Sequence, residues 1–408
     1  MPVDAGRIAG DIKAIAACTP KPGHGSDRPT FSPAWGKARD YVIAEATKAG
    51  CQHRIDAAGN VHIRPKSVDW STRCWLAGSH LDSVPGGGDY DGVIGVVAAL
   101  EVQRAAAQDG QQSLPFEAII FAEEEGTTFG LGMLGSRGWI GTLDAPALAA
   151  VRNADGKSYW EAGKPHEADS SRLESDRLRP ADWFGFLEVH VEQGAGMWKR
   201  GESVALVTGI NGRRQYSVTF RGIANHAGST GMGDRHDALA GAAEVIAGLE
   251  SLAPALGPRV VATVGRLSLE PNAVNVIPES AKFTIDLRAP EDATLATGDT
   301  RIRALISAAA EKRGLKAEVI QTESLPAVGL DAGLAQRVRT AAGRLSLKSL
   351  PETTSGALHD AAILAPVVPT IMLFIASRDG ISHNPGEFSR IEDATTATRL
   401  LYETVRGT

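Results

Sequence analysis

The chain has 408 residues, 43% hydrophobic and 22% charged, with 42 Lys and Arg against 48 Asp and Glu, for a formal net charge of −6. Such a composition supports a full core without disulfide staples. The mild acidity argues against nucleic-acid binding, which needs a basic surface, and no apolar run is long enough to predict a membrane span.

Length alone predicts two or three domains. Residues 33–50 have helical spacing and end on Gly50, as a helix C-terminus should. Residues 73–78 (RCWLAG) form a short apolar strand, and 79–92 (SHLDSVPGGGDYDG) must be a loop. A buried helix is expected over 93–107 and a buried strand over 116–122 (FEAIIFA), followed at once by three glutamates. Strand, loop, helix, strand is the βαβ pattern of a sheet with helices on its faces. Residues 155–182 are charged and patternless and predict an exposed excursion. From 211 the texture changes. Tyr216, Val218 and Phe220 alternate as in a half-buried strand, 237–252 is helical, 259–264 and 282–287 alternate again, 300–312 is helical, and 317–321 adds a strand. Gly-rich loops return after 328, with one strong strand at 370–375 (TIMLFI). The expected fold is α/β. A larger α/β domain, 1–210 and 329–408, is interrupted by a smaller α+β domain, 211–328. Three scattered cysteines (Cys18, Cys51, Cys74) and no basic-then-apolar leader over 1–11 make the cytoplasm the expected compartment.

In open α/β sheets ligands gather at the carboxyl ends of strands. His80 follows one strand, with Asp82 close enough to orient it, and Asp91 precedes a helix. Glu123, Glu124 and Glu125 follow another strand, alternation puts Glu188, His190 and Glu192 on one face, and His383 lies in a loop after 370–375. Adjacent carboxylates at a buried strand end repel one another and lose solvation, which a divalent cation and a proton would offset. His and carboxylate together suit zinc, manganese, cobalt or nickel rather than a thiolate site. A bridging carboxylate between two such sets would hold two ions.

The segments SHLDSVPGGGDYDG (79–92), AEEEG (122–126), EVHVEQG (188–194), VTGINGRRQYSVTFRGIANHAGST (207–230), NAVNVIPES (272–280), DLR (286–288), SGALHDA (355–361) and GISHNPGE (380–387) run in family order. Through them the chain resembles the N-carbamoyl-L-amino-acid hydrolase, allantoate amidohydrolase and β-ureidopropionase group of aminoacylase- and carboxypeptidase-like dinuclear metallohydrolases. The resemblance implies a zinc-exopeptidase-like domain with an inserted lid and dimerisation domain. It implies two divalent ions (Zn, Mn, Co or Ni) on His80, Asp91, Glu125, His190 and His383, with Asp91 bridging. Glu124 would be the general base and Asp82 the support of His80. His226 would reach across a homodimer interface to the oxyanion, while Asn275, Arg288, Gln193, Ser355 and Gly356 would lie near a small ureido or amide acid substrate. His359 and Asp360 would have supporting roles. Thr128 stands where the family commonly has Arg, and Leu358 where it has Gly. The alternative activities are allantoate or ureidoglycolate hydrolysis and N-acyl-amino-acid hydrolysis.

Overall fold

The computed structural model describes residues 2–407. The chain forms two compact units. One comprises 1–208, 329–353 and 358–408; the other comprises 209–328 and 354–357. Residues 354–357, assigned from sequence to the larger domain, thus belong to the smaller unit, because Asn211 N donates to Ser355 O at 2.8 Å.

In the larger unit four parallel strands lie side by side, in the order Phe116–Phe121, Cys74–His80, Trp183–Val191 and Thr370–Ile375. Their register brings His80 opposite Phe121, and Phe374 opposite His190. The carboxyl ends therefore finish in one row, and the strand at 74 runs through His80 rather than stopping before it. Further strands extend both edges, the antiparallel pair Cys51–Ile55 and Val61–Pro65 on one side and Val204–Ile210, antiparallel to Thr370–Ile375, on the other. All four central strands are buried along nearly their whole length, as expected of apolar runs covered on both faces. The helix Val93–Gln108 packs against this sheet, and helices Ala5–Ala16 and Ile391–Arg406 pack against that helix. Those two helices and the strands Cys51–Ile55 and Val61–Pro65 were not read from the sequence. The segment 155–182, expected to be an exposed excursion, is exposed over much of its length but anchored to the larger unit. Tyr159 and Leu173 are buried in it, and Tyr159 Oη donates to Ala58 O at 2.6 Å.

The smaller unit is a five-stranded antiparallel sheet with helices Ala238–Leu252 and Asp292–Arg313 packed on it. Tyr216, Val218 and Phe220 from Gly212–Arg221 meet Phe283, Ile285 and Leu287 from Ser280–Ala289 in its core. A separate two-stranded ribbon pairs Asn225–His226 with Val276–Ile277.

A buried ion network braces the larger unit behind the strand Phe116–Phe121. His62 Nδ1 lies 2.6 Å from Glu117 Oε1, and His62 Nε2 lies 3.2 Å from Asp56 Oδ2. Asn60 donates to Asp56 at 2.8 Å and accepts from Ala122 N at 3.1 Å, so the brace reaches the residue before the three glutamates. Burial opposes a charge on His62, but hydrogen bonds to Asp56 and Glu117 outweigh it and lift the group to about 9. A pKa raised in the folded state contributes stability that is fully present below the ordinary 6.5 and lost as pH rises through about 9. Urea unfolding across that range should show a loss on the order of 3 kcal/mol from this residue, and His62→Gln should flatten that part of the profile.

Candidate metal centre

The row of strand ends gathers most of the sequence-selected residues at one point. Asp91 is the hub. Its Oδ1 lies 3.1 Å from His190 Nε2 and 3.9 Å from His80 Nε2. Its Oδ2 lies 3.0 Å from His383 Nε2, which in turn stands 3.5 Å from Glu125 Oε1. The ligand atoms of His80, Asp91 and His190 lie within 4.8 Å of one another, as do those of Asp91, Glu125 and His383. Two three-residue groups therefore share one carboxylate, with one oxygen turned to each. A third group, Glu188, His190 and His359, overlaps the first.

The imidazoles are set for such a role. His190 Nδ1 faces Val191 O at 3.0 Å and His80 Nδ1 faces Asp82 O at 2.9 Å. A carbonyl can only accept, so each Nδ1 carries a proton and each ring turns Nε2 towards Asp91. His190 Nε2 is buried with no hydrogen-bond partner among the described residues, although Asp91 is close. That geometry suits two atoms aimed at a third. The support of His80 corrects the sequence reading. It comes from the main-chain carbonyl of Asp82, whose carboxylate is 3.8 Å from the ring and instead accepts from Glu125 N at 3.0 Å.

Glu124 Oε2 lies 3.8 Å from His80 Nε2. Burial first, then Glu125 and Asp360, hold its carboxyl well above the ordinary range. Burial and Asp91 push Glu125 up to about 8, and burial pushes Asp82 up to about 6 and His80 down to about 4. For His190 burial opposes charge, yet the Asp91 carboxylate lifts it to about 9, and the same carboxylate lifts His383 to about 9. So many acids in one dry place must share protons or hold cations. A divalent cation would displace protons from His190 and His383 and satisfy the idle Nε2 atom. The residues fit a metal.

Several contributors had no assigned role in the sequence reading. Glu387 accepts from Tyr90 N at 2.8 Å and Asp91 N at 3.1 Å, and its other oxygen accepts from Ser382 Oγ at 2.7 Å. It lay within the GISHNPGE segment, where its acid among loop formers was the available signal. Glycine makes room for this packing. A Cβ on Gly88 would stand 2.1 Å from Glu387 Oε2, and one on Gly92, at φ 67°, 2.4 Å from His80 Cε1. Glu188 accepts from Ser79 Oγ and Ala361 N, whereas Glu192 turns away to accept from Met197 N. Thr128 is a brace. Its hydroxyl accepts from Thr30 N at 3.0 Å, and its own N–H donates to Glu123 at 2.8 Å.

Gln193 is at the hub, its Nε2 donating to Asp91 Oδ2 at 3.0 Å. The remaining selected residues belong to the smaller unit and form two groups. In the ribbon, Ala227 N donates to Asn275 O, and His226 Nδ1 accepts from Gly228 N at 3.0 Å and Ser229 N at 3.2 Å. The ring is exposed, and its proton is thereby assigned to Nε2. In the other group, Arg288 Nε donates to Asp286 Oδ1 and Nη1 to Gly356 O, both at 2.9 Å. This leaves N–H groups at both ends of the fork. Ser355 Oγ closes a local turn with Ala357.

An α/β sheet with His and carboxylate ligands at its strand ends has the architecture of a metal-dependent hydrolase. The chain belongs to peptidase family M20/M25/M40, whose model matches residues 76–407. It is 36% identical to the N-carbamoyl-L-amino acid amidohydrolase of Geobacillus stearothermophilus over 94% of each chain. It is 32% identical to the allantoate amidohydrolase of Escherichia coli (strain K12), over 93% of this chain and 92% of that one. A solved amidase of the hydantoinase/carbamoylase family from Burkholderia multivorans superposes with a TM-score of 0.91 at 32% identity, covering 99% of this chain and 97% of that chain. No helix among the described residues is long and apolar enough to cross a membrane.

Because cation binding relieves this acid crowding, chelator-treated protein should melt several degrees lower than protein resupplied with Zn, Mn or Co. Saturation at a hundredfold over Kd is worth about 2.7 kcal/mol. His190→Ala should lose most of that increment in a thermal melt, and an unchanged melt on resupply would contradict the assignment.

Proposed function

We propose that the chain hydrolyses the linear ureido C–N bond of an N-carbamoyl-L-amino acid or related ureido acid, with two divalent ions held by His80, Asp91, Glu125, His190 and His383. The observation that carries this reading is Asp91, whose two oxygens each face a separate ligand group. Ions held there supply Lewis acidity and make water a nucleophile near neutral pH.

The chain's own residues do the rest. Glu124 takes the proton of the attacking water, and the high proton affinity its surroundings impose suits it to deliver that proton to the leaving nitrogen. His226 presents Nε2–H to the oxyanion that develops on the carbonyl. Arg288, with Asn275 beside His226, receives the substrate carboxylate, for which a planar fork is better matched than an ammonium. Gln193 orients the substrate next to Asp91, and the 355–356 turn shapes the approach to Arg288. The products are ammonia, carbon dioxide and the free amino acid. His226 acts from the partner subunit of a homodimer, and the smaller unit serves as lid and dimerisation domain. Allantoate hydrolysis is the second reading, favoured by the comparable likeness to the Escherichia coli enzyme.

Ammonia release should be measured from N-carbamoyl-L-amino acids, β-ureidopropionate, allantoate and N-acyl amino acids. The first group should be turned over fastest, and chelator should abolish turnover. Glu124→Gln should lower kcat by about 10²–10⁴-fold. Full activity after either treatment would defeat the mechanism. Mixed and re-associated Glu124→Gln and His226→Ala proteins should regain roughly a quarter of the wild-type activity, since a two-fold dimer completes one site per heterodimer only when His226 acts in trans.

A further inference from the structure

Arg28 precedes the segment matched by the family model. Its side chain is fully buried, yet its hydrogen bonds go to neutral oxygens. Nε donates to Leu81 O at 2.9 Å, and Nη1 donates to Ser26 Oγ at 2.8 Å and reaches Ile15 O at 3.5 Å. Nη2 has no hydrogen-bond partner among the described residues. Ser26 Oγ donates in turn to Asp89 Oδ1 at 3.1 Å. The main chain follows the same path. Arg28 N donates to Ser83 Oγ at 3.0 Å, Ser83 N donates to Arg28 O at 3.3 Å, and Ser26 and Gly87 exchange two bonds of 2.8 Å.

The strap 26–28 is therefore laced along residues 81–89, the stretch that joins His80 to Asp91. That stretch includes Pro85 and three consecutive glycines, and its ordered backbone pairing is a single bridge from Gly87 to Ser26. Left to itself it would not hold its two ends at a fixed separation. A buried guanidinium without an ion-pair partner among the described residues is a poor device for fold stability, because an apolar side chain of similar size would avoid its desolvation. Its bonds instead tie one ligand-bearing segment, at Leu81, to the other, at Asp89.

We infer that Arg28 is a positioning residue that sets the spacing of His80 and Asp91 through Leu81 on one side and Ser26–Asp89 on the other. It does not touch the ligand atoms. The inference rests on the reading of the centre as a metal site, so the test separates the two.

Full-length wild type, Arg28→Met, Arg28→Lys and Ser26→Ala should be stripped with chelator and titrated with Co²⁺ and Zn²⁺, reading cation affinity, the visible Co²⁺ spectrum and the melting temperature of the stripped protein. Arg28→Met should keep or raise the stripped melting temperature, weaken cation binding by about 10–100-fold, as loss of support behind a ligand does, and alter the Co²⁺ bands. Arg28→Lys should recover part of the affinity, and Ser26→Ala should weaken it less than Arg28→Met. Wild-type affinity and spectrum in both Arg28→Met and Ser26→Ala would overturn the role of Arg28 while leaving the metal centre standing. If Arg28→Met does not fold, Ser26→Ala decides by the same readings. A wild type that binds neither cation would overturn the metal centre itself, and this inference with it.

Discussion

A carboxylate placed among three imidazoles and a second acid turns its oxygens to the site, where Gln193 and Ser382 also bond one of them. Asp91 is held by its backbone as well. Glu387 receives the N–H groups of Tyr90 and Asp91, and Gly88 and Gly92 remove the side-chain bulk that would keep Glu387 and His80 away. Glu387 needs its other oxygen satisfied, which Ser382 does. Since Ser382 precedes His383, the same contact ties the last ligand to the first loop. A charge this dry is tolerable only when each of its supports has a partner of its own.

The sheet makes that convergence possible. Four parallel strands end in one row, so residues far apart in sequence need only short loops to meet. The cost appears in the backbone. Glu123, Gln193 and His383 occupy positive φ, at 57°, 57° and 53°, which L side chains avoid. Such residues cost of order 1–3 kcal/mol each and persist where their surroundings dictate them. Here the dictation is visible. Glu123 accepts from Thr128 and Phe129 N–H, Thr30 Oγ1 accepts from Glu123 N, and Gln193 N donates to Ser377 Oγ.

What the sequence reveals follows from how local each signal is. The buried strands at 74, 116 and 370 were legible because apolar runs bounded by turns need no distant partner to be recognised. The alternation of Tyr216, Val218 and Phe220 was legible for the same reason. The helices at 5–16 and 391–406 were missed although Asp4 caps the first and both carry an apolar face that packs against Val93–Gln108. The excursion at 155–182 was read only in part, because two anchors, Tyr159 and Leu173, are buried within a segment that is otherwise charged and largely exposed. At the site, residue types at strand ends pointed to the hub histidines and acids. They could not separate the carbonyl of Asp82 from its carboxylate, nor find Glu387, because both depend on which loop meets which. Loop meetings are set by long-range geometry that spacing does not encode.

The two units solve different physical problems. The larger one must concentrate charge, so its ligands are mostly buried and braced by carbonyls, hydroxyls and glycine clearances. The smaller one carries the groups proposed to meet a soluble anion, and these stay exposed or half-exposed while being oriented locally. His226 is fixed by two backbone N–H groups, and Arg288 by Asp286 and the Gly356 carbonyl. Orientation without burial keeps the desolvation penalty of a free guanidinium low until a ligand shares it. In the role proposed for His226, a preset ring tautomer means that no proton need be rearranged when an oxyanion develops. The same reasoning explains why the strap at Arg28 belongs with the buried set. Its cation never meets solvent, and so it serves geometry rather than recognition.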